Sequence, residues 1–430
     1  MKHLRAIAIF TAILLAGFTA SAQERKESTK TGWSLGLLPA FSYNNDMGFL
    51  IGALAQVYDY GDSTVYPNYQ HKFVANMNIY SRGAKQVTLD YDSKYLIPGK
   101  RVTVGLSYMD NPLYGFYGFN GAVSPYHADL DLRKSADGSD GIAFYADHQR
   151  QLSVKMDLQG HLTDHLNWIG SASYSWQRYT ETAFRVYDGS ESLFHQYAAA
   201  GLIQEADTWG HRMELKGGMV YDTRDFETHP ERGIFATVTA IGGISVSEGM
   251  RSSLVLSADF RQYIPVFPSR LTLAYQLAYK GLVAGSLPFY ALPAFAMRGS
   301  FGNRMMGNGV AWASADLRLC AARFRALKQD FEVGLVAFTD AGAVIQYYKL
   351  AEQLTLGEER FSKVLADEII GPYASIFDRA IATKERLHCS VGGGFWFSMN
   401  KNFLVAIEFG HPLHSQDGTL GVYINMGFSF

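Results

Sequence analysis

The chain has 430 residues, with 38 Lys and Arg against 40 Asp and Glu, and its net charge of −2 excludes the basic surface that a nucleic-acid partner would need. Aromatic residues make up 14% of it, with 26 Tyr, 28 Phe and 42 Gly, yet mean hydropathy is only −0.05. No segment after the amino terminus runs to about 18 uninterrupted apolar residues, which excludes a transmembrane helix and leaves strands as the route across a bilayer.

At the amino terminus Lys2 and Arg5 precede an apolar run from Ala6 to Phe18, followed by Ala20-Ser21-Ala22. A positive start, a short greasy stretch and an A-x-A site predict a secretory signal peptide over residues 1–22, cut before Gln23. The run is shorter than the roughly 20 residues that a membrane span needs. No Cys follows the cut, so a lipid anchor is not expected.

Period-two alternation then recurs along the chain. Val102, Val104, Leu106 and Tyr108 face away from Arg101, Thr103, Gly105 and Ser107. Leu152, Val154, Met156 and Leu158 face away from Ser153, Lys155 and Asp157. Leu271, Leu273, Tyr275, Leu277 and Tyr279 oppose Thr272, Ala274, Gln276, Ala278 and Lys280. The second face is small, polar or charged each time, as a water-filled lumen requires. Such runs predict about sixteen strands, an even number as bacterial barrels need. They begin near Trp33, Gly48, Lys72, Gln86, Arg101, Phe144, Asn167, Trp209, Ile234, Ser252, Leu271, Val310, Phe331, Leu387, Phe403 and Thr419.

Long connections at Asp110–Ala143, Glu181–Thr208, Ala284–Gly309 and Gln346–Arg386 follow strands five, seven, eleven and thirteen, all odd. Even-numbered connections such as Pro98–Lys100, Gly160–Asp164 and Asn400–Lys401 are short. Outer-membrane barrels start inside and carry their long loops outside, so this parity fits one. Near-helical spacing of apolar residues predicts a helix within Gly357–Thr383, in the seventh outer loop. Cys320 and Cys389 fall on non-adjacent strands and are expected as free thiols.

The chain finishes on Val422, Ile424, Met426, Phe428 and Phe430, alternating with Tyr423, Asn425, Gly427 and Ser429. Taken alone, this motif also fits the edge of a soluble β-sandwich; a final amphipathic strand ending in Phe is equally the insertion signal of outer-membrane barrels. The leader, the strands and the loop parity favour the second. The expected fold is all-β: a sixteen-stranded antiparallel transmembrane barrel over residues 33–430, after a short periplasmic segment at 23–32.

Three further segments stand out. Asp222-Thr223-Arg224-Asp225, with Pro230 and Gly233, occupies an even-numbered and hence periplasmic turn, where Asp and Arg can pair while Pro and Gly set the backbone. Met297-Arg298-Gly299-Ser300-Phe301 lies in the sixth outer loop after an apolar stretch, Phe289–Ala296. A guanidinium on an apolar loop tip is expected to fold inward onto a luminal carboxylate. Phe338-Thr339-Asp340-Ala341-Gly342 lies on strand thirteen, where Asp340 shares a face with Glu332; Asp316 and Glu332 are the other carboxylates in reach.

Together these segments resemble the outer-membrane superfamily of BamA, TamA and the two-partner-secretion transporters. The resemblance implies a sixteen-stranded barrel whose sixth loop enters the lumen with an Arg-Gly-aromatic tip. An F-x-D-x-G strand receives the Arg. Phe338, Asp340 and Gly342 match that strand, and Arg298 and Gly299 match the tip. Ser300 stands where the family has its aromatic, with Phe301 one place later, and the glycine pair that usually precedes the tip is absent. The Asp222, Arg224, Asp225, Pro230 and Gly233 pattern resembles a further family signature. Members that assemble or secrete proteins carry periplasmic POTRA domains ahead of the barrel. The ten or so residues from Gln23 to Trp33 are too few for one, so a short form lacking them is expected.

Three functions stay open at this point: a minimal assembly or translocation barrel, a channel, or a surface-binding protein with long loops. A channel would be lined by Asp90, Asp92, Arg212, Glu214, Lys216, Asp316, Arg318 and Glu332. Histidines sit mostly in or beside turns, and no HExxH, P-loop or GxSxG occurs, so no catalytic, metal or cofactor residues are expected. Expected partners are outer-membrane lipid and lipopolysaccharide, the barrel-assembly machinery during insertion, and periplasmic or outer-membrane proteins, with no nucleic acid. The mature chain is expected to begin at Gln23 and to fractionate with the outer membrane. Mass spectrometry of that fraction checks this; an intact leader retained in the inner membrane would refute it.

Overall fold

The computed structural model describes residues 31–44, 47–62, 64, 69–124, 126, 144–183, 192–199, 201, 203–326, 329–349, 385–399 and 403–430. The predicted signal peptide, all but the last two residues of the 23–32 segment, and the helix expected within 357–383 lie outside them. Sixteen strands form one antiparallel sheet in chain order. The first eight are β1 (Trp33–Asn44), β2 (Gly48–Asp59), β3 (His71–Tyr80), β4 (Lys85–Ile97), β5 (Lys100–Gly115), β6 (Ala146–His161), β7 (Leu166–Glu181) and β8 (Trp209–Asp222). The rest are β9 (Gly233–Val246), β10 (Met250–Phe267), β11 (Leu271–Gly285), β12 (Gly309–Ala326), β13 (Gln329–Gln346), β14 (His388–Met399), β15 (Phe403–Pro412) and β16 (Gly421–Met426). Their starts fall where the alternation begins, because side chains of opposite character leave a strand by opposite faces.

The sheet is inside-out compared with a water-soluble one. On β11, Thr272, Ala274, Gln276 and Ala278 are buried, whereas Leu277 is 54% exposed. Leu35, Leu37, Leu215 and Phe395 are likewise exposed, while Asp316, Asp340 and Glu408 are buried. Large apolar side chains in water are unfavourable by about 25 cal/mol per Å², so this face calls for an apolar surrounding.

The edge strands β1 and β16 lie side by side, where the Ser42 hydroxyl donates to the Ile424 carbonyl at 2.8 Å. No backbone ladder joins them among the described residues. The turn between β8 and β9 also reaches remote strands: Glu231 pairs with Arg323 of β12 at 2.9 Å, and the His229 ring lies 5.0 Å from the Trp396 ring of β14.

Connections after odd-numbered strands gather at one rim, and those that follow β5, β7 and β11 contribute most of an aromatic cluster. It includes Phe116, Tyr117, Phe119, Tyr126, Phe194 and Tyr197, all buried. One short helix, α1 (Leu193–Ala199), contributes Phe194, whose ring meets that of Phe116 edge-on at 5.4 Å. Such edge-to-face pairs contribute about 0.5–1.5 kcal/mol beyond their buried area.

The last strand departs from expectation. Alternation predicts pairing up to Phe430, but β16 ends at Met426. Gly427 adopts φ +112, in the left-handed region, and its N–H donates to the Leu404 carbonyl at 2.9 Å. The chain then leaves the ladder. Phe428 and Phe430 turn towards Arg318 of the polar face, with its guanidinium 3.9 Å and 5.1 Å from their ring centres. Period two reports side-chain character and carries no information about a φ that only glycine adopts readily.

No atom lies within 4 Å of where a Cβ on Gly427 would sit, so a substitution there meets backbone strain alone. Gly427→Ala is expected to destabilise the folded chain by about 1–2 kcal/mol. Urea titration of the heat-modifiable folded band measures it; an unchanged midpoint would show that the left-handed residue is not what ends the strand.

Candidate functional site

The polar face of β12, β13 and β15 carries three buried carboxylates, and the register explains why they converge. Asp316 lies opposite Phe338 and Ser314 opposite Asp340, so Asp316 and Asp340 are diagonal neighbours on one face. Across β14, Phe338 faces Gly392 and Gly394 faces Glu408, which brings Glu408 to the same level. Asp316 and Glu408 have no solvent exposure and Asp340 has 4%.

Arg298, from the connection between β11 and β12, fills the space among them. Its Nε and Nη2 donate to the two oxygens of Asp340 at 3.0 and 2.7 Å, and its backbone N–H donates to Asp340 Oδ2 at 3.0 Å. Nη1 donates to Glu408 Oε1 and Nη2 to Asp316 Oδ1, both at 2.8 Å. The guanidinium carbon lies 3.5 Å from the centre of the Phe338 ring. Burial alone would lower the pKa of Arg298; hydrogen bonding and charge from Asp340, with the charges of Asp316 and Glu408, raise it instead. Fork-shaped donors suit this task, because one planar group can serve three acceptors.

Arg318 supplies a second guanidinium. It donates to Asp316 Oδ2 at 2.9 Å and to the Phe430 backbone oxygen at 3.0 Å. Ser429 donates to Glu408 Oε2 at 2.8 Å. The carboxyl-terminal segment therefore touches the cluster through both Arg318 and Glu408.

Glycines permit the loop to approach. Gly299 has φ +99, and a Cβ there would come within 2.8 Å of the Gly410 backbone, while one on Gly410 would come within 2.5 Å of Arg298. Two backbones pass where side chains cannot fit. Gly342 makes room for the Phe295 ring, which a Cβ would meet at 2.5 Å. All three members of the F-x-D-x-G segment thus contact the same loop.

Ser300, at the aromatic position of the family pattern, closes its own turn: its hydroxyl donates to the Met297 carbonyl at 2.9 Å, and the Met297 N–H donates back to it at 3.0 Å. Phe301 supplies the aromatic one place later, stacking on Tyr117 with ring centres 5.1 Å apart. Loop residues Ala294–Phe295 and Met305–Met306 pair as two short strands around this tip.

The β8–β9 turn forms a separate unit. Arg224 pairs with Asp222 at 2.9 and 2.7 Å, and Asp225 Oδ1 accepts the N–H groups of Phe226 and Glu231 at 3.0 Å each. Pro230 is buried, and Gly233 has φ +111 with the Thr223 backbone pressed against it. Among the charged residues expected to line a lumen, Arg212 pairs with Glu214 at 2.7 Å and Asp92 with Arg101 at 2.7 Å. Glu332 pairs with Arg323 at 2.9 Å rather than with Arg298.

Glu408 was not singled out by sequence reasoning, although its place among Leu404, Ala406 and Gly410 on one face of β15 marks it as a charge on the polar side. Fully buried Arg304, six residues after Arg298, was missed too.

Removing Arg298 would leave Arg318 as the remaining cation, among the described residues, beside Asp316, Asp340 and Glu408. Arg298→Ala is expected to cost about 3–5 kcal/mol, and Asp340→Asn less, since Asp316 and Glu408 still hold the guanidinium. Urea midpoints of the two variants test the order. Equal, near-zero shifts would refute it.

Residues 68–430 match the Omp85 superfamily domain. Among solved structures, BamA from Haemophilus ducreyi lacking POTRA domains 1–3 is similar with a TM-score of 0.54 at 13% identity, over 92% of this chain and 70% of that one. CdiB from Escherichia coli gives 0.52 at 9% identity, over 94% of this chain and 64% of that one. No curated protein sequence matches. At such identities the likeness to solved structures is one of fold: an all-β, mainly antiparallel chain resembling the BamA barrel. The family match extends over most of the length, and the chain belongs to the Omp85 superfamily.

Proposed function

We propose that residues 33–430 form a closed outer-membrane barrel that assists the assembly or translocation of other outer-membrane proteins. The signal peptide delivers the chain to the periplasm, and Phe428 and Phe430 serve its own insertion by the barrel-assembly machinery. The sixth loop lies in the lumen, locked by Arg298, Gly299 and Phe301 against Phe338, Asp340 and Gly342. The periplasmic turn of Asp222, Arg224, Asp225, Pro230 and Gly233 braces the inner rim.

One observation carries the reading: the seam between β1 and β16. A twelve-residue strand lies beside a six-residue one with no described ladder between them. Strand pairs elsewhere in the sheet share up to 17 registered positions, as β12 and β13 do. A seam that gives up few backbone hydrogen bonds is the place where the wall opens sideways at least cost, and an edge strand exposed by that opening offers a template for an incoming strand. A fixed channel needs no such weakness.

The test uses full-length protein in vesicles, with Cys320 and Cys389 changed to Ser. It is expected to speed the folding of an added outer-membrane barrel several-fold over empty vesicles. A Ser42→Cys/Ile424→Cys pair, once oxidised, should abolish the gain, and reduction should restore it. No acceleration by the parent protein, together with steady solute-selective conductance, would overturn the reading in favour of a channel.

A further inference from the structure

A buried imidazole sits at the rim that carries the long loops, apart from the Arg298 cluster. His388, the first residue of β14, has no solvent exposure. Its Nδ1 lies 2.8 Å from Asp417 Oδ1, and its Nε2 lies 3.1 Å from Glu385 Oε1. A neutral imidazole carries one N–H and can serve one carboxylate, leaving a ring lone pair against the other. Only the doubly protonated ring hydrogen-bonds Glu385 and at the same time forms an ion pair with Asp417.

The Glu385 carboxylate and the Asp417 backbone hold different pieces of the rim. Glu385 accepts the Ala122 N–H at 2.6 Å, from the connection after β5, and the Val344 N–H at 2.9 Å, from β13. Asp417 lies between β15 and β16, where its backbone carbonyl accepts the Phe301 N–H of the sixth loop at 3.3 Å. Among the described residues, the other charges facing this group are Arg386, 3.5 Å from Asp417, and Arg304 of the sixth loop. Arg304 donates to the Gly121 and Gln416 carbonyls at 2.7 and 3.2 Å, and Tyr117 and Tyr145 face it. Burial alone would raise the pKa of Asp417, but hydrogen bonding from His388 holds it below its usual range.

The charge count matters. Among the described residues Arg304 and Arg386 balance Glu385 and Asp417, so direct contact rather than this balance holds the proton on His388. Such a proton can be lost without leaving a net buried charge.

We propose that Glu385, His388 and Asp417 form a pH-sensitive staple of the outer-loop cap. The protonated ring ties the connections after β5, β11, β13 and β15 together. As pH rises and the ring loses one proton, the attraction of the charged ring for Glu385 and Asp417 is lost and the cap loosens. At acid pH, protonation of Asp417 weakens the same tie, so the cap is tightest between these limits.

Hydrogen exchange in the full-length chain in vesicles tests this, with rates corrected for intrinsic pH dependence. Amides within 116–124 and 411–418 are expected to exchange about tenfold faster at pH 9 than at pH 6, where an unperturbed imidazole would already be changing charge. In His388→Gln, whose amide donates without titrating, the corrected rates should agree within about twofold at the two pH values. Equal corrected rates in the parent chain, or the parent's acceleration in His388→Gln, would overturn the staple. If His388→Gln fails to reach the heat-modifiable folded form, Asp417→Asn decides by the same criterion, because it removes one of the two negative charges that favour a charged ring.

Discussion

A guanidinium that is almost wholly buried has lost its hydration and persists only where carboxylates replace water. Around Arg298 the converse is equally demanding, since Asp316, Asp340 and Glu408 are themselves buried on adjoining strands. Like charges at such spacing would repel strongly in a medium poorer than water. Loop and wall are therefore conditional on each other: neither is satisfied electrostatically alone. Cost and gain nearly cancel for buried pairs of this kind, so the cluster contributes position more than net stability. It fixes one loop, in one register, on one face of the sheet.

The remaining contacts of the loop follow from that placement. With Arg298 seated on Asp340, its backbone runs against Gly410, and Phe295 falls into the space above Gly342. Phe301 then enters the aromatic cluster on Tyr117 and Tyr126. Polar pairing sets the position of the loop on the polar face, and aromatic packing holds the residues that follow it. Asp316 is shared between Arg298 and Arg318, and Arg318 also holds the end of the chain. A disturbance of the loop thus reaches the segment that follows β16, beside the seam with β1.

Much of the architecture was legible in the residues because strands write their faces into sequence. Alternation marked where the strands begin, and loop lengths separated one rim from the other. The Arg298 and Asp340 pairing was also readable, since a lone guanidinium on an apolar loop must find a carboxylate. Glu408 as a further partner was not legible. It lies 110 residues from Arg298 in the chain, and only the register through β13, β14 and β15 brings it to the same level.

Local chemistry therefore determined the strand faces, the parity of the loops and the need of Arg298 for a partner. Tertiary structure decided what alternation cannot encode. Gly427 takes a left-handed φ that ends β16 early, the Ser300 hydroxyl closes a turn where an aromatic was expected, and His388 lies between carboxylates from two connections. The physical reason is common to all three. A period-two pattern records which side of the sheet a residue faces, whereas these features depend on backbone dihedrals and on contacts made across strands and loops distant in sequence.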